Sequence, residues 1–188
     1  KPLGATVTEQ FNLTPGGTYY FDMSKQGAPG SVNNVDSLPD ISLKWVPFTY
    51  AGTVNAYSLD ASSSGDTTAS GTAAVSNRSL FVTNCLMTFG FKWNDLNSAN
   101  LVFGKDYTSG GVSYELRSLS VGSTASGSGS SLRGVPVSNE WDQILNKNAD
   151  YIKNWSDGYS WGQDTVSDNA NSRVQRGRDT ARYFAVAS

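Results

Sequence analysis

The sequence is poor in the residues that build most catalytic and metal centres. It contains no histidine and one cysteine, Cys85, which excludes an intrachain disulfide and a cluster of thiolate ligands. A nucleophilic cysteine needs a neighbouring base, yet Cys85 lies in an apolar run over residues 80–87 and the chain has no histidine. We therefore interpret Cys85 as a small buried hydrophobic residue.

Charged residues and long apolar runs are also scarce. Charged residues make up 16% of the chain and the net charge is −2, so the clustered basic face that nucleic-acid binding requires is not expected. No apolar run approaches the roughly 18 residues that a membrane-spanning helix needs, so no membrane insertion is predicted. The chain starts at Lys1 without a signal-like segment, and we expect it to be a processed or trimmed product whose export signal, if there is one, is missing.

Glycine, serine, threonine, asparagine and aromatic residues are abundant instead. Short β-rich runs, broken by Gly, Pro, Asn and Asp, predict a loop-rich α+β or mostly β domain. The pattern predicts a hairpin over 5–23, strands over 41–48, 53–59, 79–87 and 111–119, and loops over 24–40, 60–78 and 120–131. Pro47 predicts an edge strand or a bulge. A short helix is predicted over 92–101, with Asn94 as its N-cap.

The clearest helix is predicted from Asn139 to about Lys147. Ser138 precedes it as a natural N-cap, and acidic residues in the first turn complement the helix dipole. The apolar stripe that would dock on a sheet consists of Trp141, Ile144 and Leu145. Glu140 and Asp142, two residues apart on this helix, should point in different directions, which argues against a catalytic carboxylate pair.

Three short motifs follow one another between residues 134 and 177. Pro136 leads into Glu140-Trp141, Tyr159-Ser160-Trp161-Gly162 reads as an aromatic turn, and Arg173-Val174-Gln175-Arg176-Gly177 completes the set. Their order and spacing resemble the C-type-lectin-like domains of the formylglycine-generating-enzyme type, which include the variable proteins of diversity-generating retroelements. The resemblance covers residues 79–183. It implies a C-type-lectin-like fold, loop-rich, with short antiparallel strands and one or two helices.

Two departures from the family's enzymes imply that this chain is not an enzyme. The enzymes use a reactive cysteine pair for copper and oxygen chemistry, whereas the single cysteine here lies upstream of the motifs. The enzymes also carry a long insert where this chain has the short stretch between Gly162 and Arg173. The resemblance therefore points to the binding branch, with no catalytic residues and no cofactor.

In that branch a C-terminal segment, here about 156–188, carries the exchangeable residues that touch the ligand. Its mixture of aromatic, amide, acidic and arginine side chains suits adaptable recognition. By resemblance, the ligand-binding residues are Asp157, Tyr159, Asp168, Asn169, Arg178, Asp179, Phe184, Val186 and Ser188, and the scaffold residues are Trp141, Trp155, Trp161, Arg173 and Arg176. The alternative for residues 168–171 is a plain surface turn.

The resemblance implies a protein or glycan partner on a cell or phage surface, and a secreted, cell-surface or phage-particle location. Residues 1–78 are expected to form a β-rich part of the same domain or a small appended subdomain, and 79–188 the lectin-like domain. Relatives continue past the Arg182-Tyr183 position into a further strand, so we expect another segment or a partner to complete the sheet.

Two alternatives stay open. Calcium is a known ligand of lectin-like domains, and Asp157, Asp164, Asp168, Asn169 and Asn171 supply suitable oxygens, although no ligand spacing stands out. The alternative function is a structural adhesin, cell-wall or fibre module without a variable site.

Overall fold

We describe a computed structural model of the chain, which covers residues 13–34, 38, 40–54, 78–127, 133–135, 139–151, 158–178 and 180–188. In these ranges the strands are β1 Thr18–Phe21, β2 Ser31–Val32, β3 Val46–Val54, β4 Arg78–Thr83, β5 Thr88–Phe89, β6 Lys105–Ser109, β7 Val112–Leu116, β8 Thr124–Ser126, β9 Arg133–Val135, β10 Tyr159–Val166, β11 Asn169–Gly177 and β12 Phe184–Ala187. The helices are α1 Trp93–Ser98 and α2 Glu140–Ile144, with a 3₁₀ turn at Ala149–Tyr151.

All strand pairs in the described ranges are antiparallel, which confirms the predicted α+β class. Two three-stranded sheets, β1-β3-β4 and β10-β11-β12, are accompanied by three two-stranded ribbons. Strand β4 begins at Arg78, next to the expected boundary between the two parts of the chain, and pairs with β3. No helix in the described residues has the length and apolar character needed to cross a membrane.

The N-terminal sheet differs from the predicted strand limits. The second arm of the hairpin predicted over 5–23 contains strand β1, which pairs with β3, whereas most of the first arm lies outside the described residues. Residues 41–45 form turns, and the strand begins only at Val46. Strand β3 is central and not an edge, but its pairing with β4 is interrupted by a bulge between Tyr50 and Gly52. Gly52 has a φ of +96°, a value that glycine adopts without strain.

This sheet covers an aromatic core. The ring of Phe21 makes edge-to-face contacts with Phe48, Phe81 and Tyr114 at centroid distances of 5.0, 5.3 and 5.3 Å. Such pairs each add about 0.5–1.5 kcal/mol beyond the area they bury. Cys85 belongs to the same core and is 1% exposed, which confirms its interpretation as a buried small residue.

Both helices are shorter than predicted and begin at other residues. Helix α1 starts after Lys92, not after Asn94, because the Asp95 carboxylate accepts the Lys92 amide N–H at 2.7 Å. Helix α2 is capped by Asn139 instead of Ser138, since the Asn139 Oδ1 accepts the Asp142 N–H at 2.9 Å. The Asn148 side chain donates to the Ile144 carbonyl at 2.9 Å, just after the helix ends.

Helix α2 docks on the C-terminal sheet through its predicted apolar stripe. Trp141, Ile144 and Leu145 are 2%, 4% and 0% exposed. They form the second core together with Val82, Val121, Val166, Val174 and Phe184. The 3.6-residue periodicity therefore identified the buried face of this helix correctly.

The segment predicted as an aromatic turn, Tyr159–Asp164, is wrong in type: it is part of strand β10. The register shifts between Trp161 and Thr165, where the strand bulges. Gly162 lies in this bulge, and a Cβ there would come within 2.0 Å of Val121 Cγ2. The glycine of the Trp-Gly motif is needed for this close approach of two chain segments.

Candidate functional site

The frame beneath the C-terminal sheet is held by a buried ion pair. Arg176 on β11 is 0% exposed, and its Nη2 and Nη1 donate to Asp142 Oδ1 and Oδ2 at 2.7 and 3.1 Å. Nη1 also donates to the Val121 carbonyl at 2.8 Å. Because two parallel N–H···O bonds fix the plane of the guanidinium, this pair fixes helix α2 against the sheet in position and in angle.

A second arginine holds the other carboxylate of helix α2. Arg117, just after β7, donates to Glu140 Oε2 and Oε1 at 2.6 and 2.5 Å. Glu140 Oε2 also accepts the Ser120 amide at 3.1 Å. The two acidic residues thus reach different arginines, in line with the expectation that they point apart. The sequence carried no signal for these pairings, because the partners lie 23 and 34 residues away along the chain.

Asp164 on β10 is a third buried carboxyl. Its Oδ2 accepts the amides of Val121 and Gly122 at 2.6 and 3.1 Å, while Oδ1 has no hydrogen-bond partner. Burial raises the pKa of Asp164 to about 7, against the lowering effect of the two amide hydrogen bonds. Glu140 also raises this pKa and Arg176 lowers it.

The structure does not assemble the oxygens considered for calcium. Asp164 is sealed inside, whereas Asp168, Asn169 and Asn171 lie exposed at the turn between β10 and β11. Among the described residues no three or more His, Cys, Asp or Glu side chains come close enough to hold a metal ion. Asp157 lies outside the described residues. The arrangement gives calcium no support in the part of the chain that is described.

The scaffold tryptophans that are described donate to backbone carbonyls. Trp141 Nε1 donates to the Ala181 carbonyl at 2.6 Å and Trp161 Nε1 to the Phe91 carbonyl at 3.4 Å. Arg173 stacks on Trp93, with its guanidinium carbon 4.4 Å from the ring centroid, and donates to the Ala170 carbonyl at 2.7 Å. Trp155 lies outside the described residues.

Two residues of the predicted binding set meet where β10 begins and β11 ends. The Arg178 guanidinium carbon lies 5.3 Å from the ring centroid of Tyr159, and the Tyr183 ring packs beside Tyr159 at 6.0 Å and an interplanar angle of 32°. We call Tyr159, Arg178 and Tyr183 the tyrosine–arginine cluster. Arg178 is exposed and the two rings are half-buried, so the cluster is open to a partner.

The backbone explains how the cluster forms. Gly177 pairs with Tyr159 at the end of β11 and has a φ of +94°, and Arg178 follows with a φ of +74°. Two successive left-handed residues turn the chain back, which brings the Arg178 side chain over β10. A left-handed conformation costs a non-glycine residue about 1–2 kcal/mol, so the position of Arg178 is one that the surrounding structure must enforce.

Phe184 is the clear correction to the predicted set. It pairs with Arg176 across β11 and β12, and its ring lies in the second core at 8% exposure. Residues opposite one another on neighbouring strands share a face, so Phe184 turns inward with the buried arginine. A partner cannot reach this ring in the described structure.

The remaining predicted residues do not form one patch with the cluster. Asp168 and Asn169 lie at the hairpin end of β10 and β11, about seven residues and roughly 20 Å along the strand from Tyr159. Val186 is 50% exposed on β12 opposite Val174, and the Ser188 hydroxyl lies 3.2 Å from that of Ser172. Asp179, like Asp157, lies outside the described residues. Tyr183 was not among the predicted contacts, although it directly precedes the final strand.

No protein-family model matches this chain, and no curated protein or solved structure is significantly similar to it.

Proposed function

We propose that this chain is a non-enzymatic recognition protein that binds a partner through the tyrosine–arginine cluster. The fold we propose for it is the C-type-lectin-like scaffold suggested by the motif resemblance, of the kind found in variable proteins of diversity-generating retroelements. In this proposal the chain acts outside the cell or on a phage particle. The partner is a macromolecule displayed on a surface.

The observation that carries the proposal is the enforced position of Arg178. Arg178 has a costly left-handed backbone conformation, and its guanidinium is held over the half-buried ring of Tyr159, which packs beside Tyr183. Strained conformations of this kind concentrate at functional sites. Tyrosine and arginine are also the residue types that most often dominate binding energy at interfaces.

The buried ion pairs support the proposal, because the residues that stabilise the scaffold differ from the residues that would contact a partner. Arg176 and Asp142 are buried, whereas Arg178 is exposed and Tyr159 is half-buried where β10 begins. Substitutions of Tyr159 and Arg178 then leave the buried ion pair unchanged. A scaffold of this type pre-organises its side chains, which lowers the entropic cost of binding.

The test screens the labelled chain against a glycan array and an array of extracellular proteins. A ligand that binds wild type but not Tyr159→Ala, Arg178→Ala or Tyr183→Ala supports the proposal. The matched control is Tyr20→Ala, because Tyr20 is a tyrosine with 56% exposure on the N-terminal sheet. Binding that survives all three cluster substitutions, or that is lost equally in the control, contradicts the proposal.

One observation favours the structural alternative. Tyr20, Ile41 and Trp45 are 56%, 60% and 58% exposed in the N-terminal half, and exposed large apolar groups are common at assembly contacts. A fibre or cell-wall module would self-associate through them. Analytical ultracentrifugation of Trp45→Ser beside wild type separates the two functions, since only an assembly module would show a concentration-dependent mass that this substitution abolishes.

A further inference from the structure

A cleft with a volume of about 220 Å³ opens beside Tyr159. Its walls come from the loop after β1, from the segment around Leu86 and Met87, and from the first residues of β10, Tyr159–Trp161. An engineered protein cavity of about 150 Å³ takes up benzene, so this volume suits one substituted aromatic ring. The cleft shares Tyr159 with the tyrosine–arginine cluster.

The chemistry of the walls is mainly apolar. Six of the lining side chains are Leu86, Met87, Phe91, Leu96, Leu101 and Leu116. Methionine and leucine adapt their rotamers to an irregular guest and contact aromatic rings favourably. The walls therefore favour an apolar group over a hydrated one such as a sugar.

Three of the polar side chains in the walls, those of Arg117, Ser118 and Trp161, are already bonded within the chain. The Arg117 guanidinium is held by Glu140, and the Ser118 hydroxyl donates to the Leu101 carbonyl at 3.3 Å. In contrast, five polar side chains of the walls make no side-chain hydrogen bond within the described ranges: Gln26, Thr83, Thr88, Tyr159 and Ser160. The cleft thus offers a mainly apolar slot whose few unbonded polar side chains could bond a single polar group on the guest.

We propose that this cleft receives a tyrosine or tryptophan side chain of a protein partner. Both side chains combine a flat apolar ring with one polar atom, which Ser160 or Gln26 would bond. The inference rests on the proposed function, because the cluster residue Tyr159 forms one wall, and it narrows the partner from protein or glycan to protein.

The charge of Arg178, which contacts the cleft residue Tyr159, specifies the partner further. Arg178 lies above Tyr159, and no carboxylate in the described ranges is within ion-pair distance of it. A guanidinium in this position complements an acidic residue beside the aromatic anchor. The recognised feature is an exposed tyrosine or tryptophan flanked by aspartate or glutamate.

The cleft is tested on the full chain with two small probes, p-cresol and toluene, by ¹H–¹⁵N NMR titration. We expect p-cresol to shift the amide signals of Leu86, Leu101 and Leu116 in a saturable manner. Ser160→Ala should weaken the binding of p-cresol but not that of toluene, which has no polar atom. Shifts that do not saturate, or that lie elsewhere in the molecule, would overturn the inference.

Two substitutions fill the cleft from different walls. Ala28→Trp and Thr88→Phe should each weaken p-cresol binding at least about tenfold, whereas the matched control Ala125→Trp, at an exposed position of β8, should leave it unchanged. Two variants are used so that one failure to fold does not decide the outcome. Equal p-cresol affinity in wild type and in a folded filled variant would contradict the inference.

The macromolecular partner then separates the two proposals. A protein ligand that is lost in both Arg178→Ala and Ala28→Trp supports the cleft as its anchor site. A ligand lost in Arg178→Ala but bound normally by Ala28→Trp, or a ligand that proves to be a glycan, overturns the cleft inference and leaves the recognition function standing. A ligand that both Arg178→Ala and Ala28→Trp bind as well as wild type contradicts the recognition function itself, whatever the result of the p-cresol titration.

Discussion

Arg176 and Asp142 are joined by two hydrogen bonds, 3.1 and 2.7 Å long, in the interior of the C-terminal half. One residue belongs to strand β11 and the other to helix α2. The rings of Trp141 and Phe184 lie 5.7 and 5.8 Å from the guanidinium carbon and shield the pair from water. Helix, sheet and ion pair therefore form one unit beneath the proposed recognition face.

The first prediction concerns this pair. Arg176→Met leaves the Asp142 carboxylate buried without its cation, and we expect the free energy of unfolding to fall by about 3–5 kcal/mol. Urea denaturation followed by circular dichroism measures the change. The double variant Arg176→Met with Asp142→Leu should recover part of the loss, because it leaves no unpaired charge.

The control for the first prediction is Arg182→Ala. Arg182 is exposed and bonds Asn146 at the surface, so its removal should cost no more than about 1 kcal/mol. A similar loss in both single variants would show that the buried pair is not the principal tie between α2 and the sheet.

The second prediction concerns the pH dependence of stability. Burial raises the pKa of Asp164 to about 7 in the folded chain, above the ordinary carboxyl value of 3.8. The folded state therefore favours the protonated form of Asp164. The contribution of this group to the free energy of unfolding is fully present below pH 3.8 and is lost as the pH rises through about 7. Asp164→Asn removes this titratable carboxyl group, so the stability of the variant should fall less than that of wild type between pH 4 and pH 8.

Thermal unfolding of both proteins across that pH range provides the measurement. The pKa values of Asp22 and Asp40 are lowered by hydrogen bonds from Ser24 and Ser42, and these groups act in the opposite sense at acid pH. They are present in both proteins and cancel in the comparison. Parallel pH profiles would refute the role assigned to Asp164.

The third prediction concerns the bulge in β10. Gly162→Ala would place a methyl group 2.0 Å from Val121 Cγ2, and we expect a destabilisation of about 1–3 kcal/mol or more. Val121→Ala in the same chain should restore part of the stability by removing the clashing methyl groups. The nearby Gly158→Ala is the control, because among the described residues its new methyl would meet only Leu86, at an ordinary 3.9 Å.

The fourth prediction separates binding from stability at Arg178. Asparagine tolerates the left-handed conformation, so Arg178→Asn should change the free energy of unfolding by no more than about 0.5 kcal/mol. It removes the guanidinium over Tyr159, and we expect partner affinity to fall at least about tenfold. Surface plasmon resonance and urea denaturation on the same preparation measure both quantities. A variant that binds normally would remove Arg178 from the recognition face.

What the sequence predicted well were features that depend on local patterns. The apolar stripe of α2, the alternation in β7 and the burial of Cys85 follow from which residues recur at which spacing. The helix caps and strand limits lie at other residues than predicted. Ser138 and Asn139 are both good N-caps, for example, and only the packed structure selects Asn139. The predicted aromatic turn at Tyr159–Asp164 was wrong since a bulge allows glycine within a strand.

The sequence by itself determined the fold class: antiparallel strands and short helices follow from composition and periodicity, and the single cysteine rules out an intrachain disulfide or a thiolate metal cluster within this sequence. The tertiary structure alone decided which side chains share a surface. Phe184 turned inward because its register matches Arg176, and Tyr183 joined Tyr159 because two left-handed residues reverse the chain at Gly177 and Arg178. Register and chain reversal depend on contacts between distant segments, which no local pattern encodes.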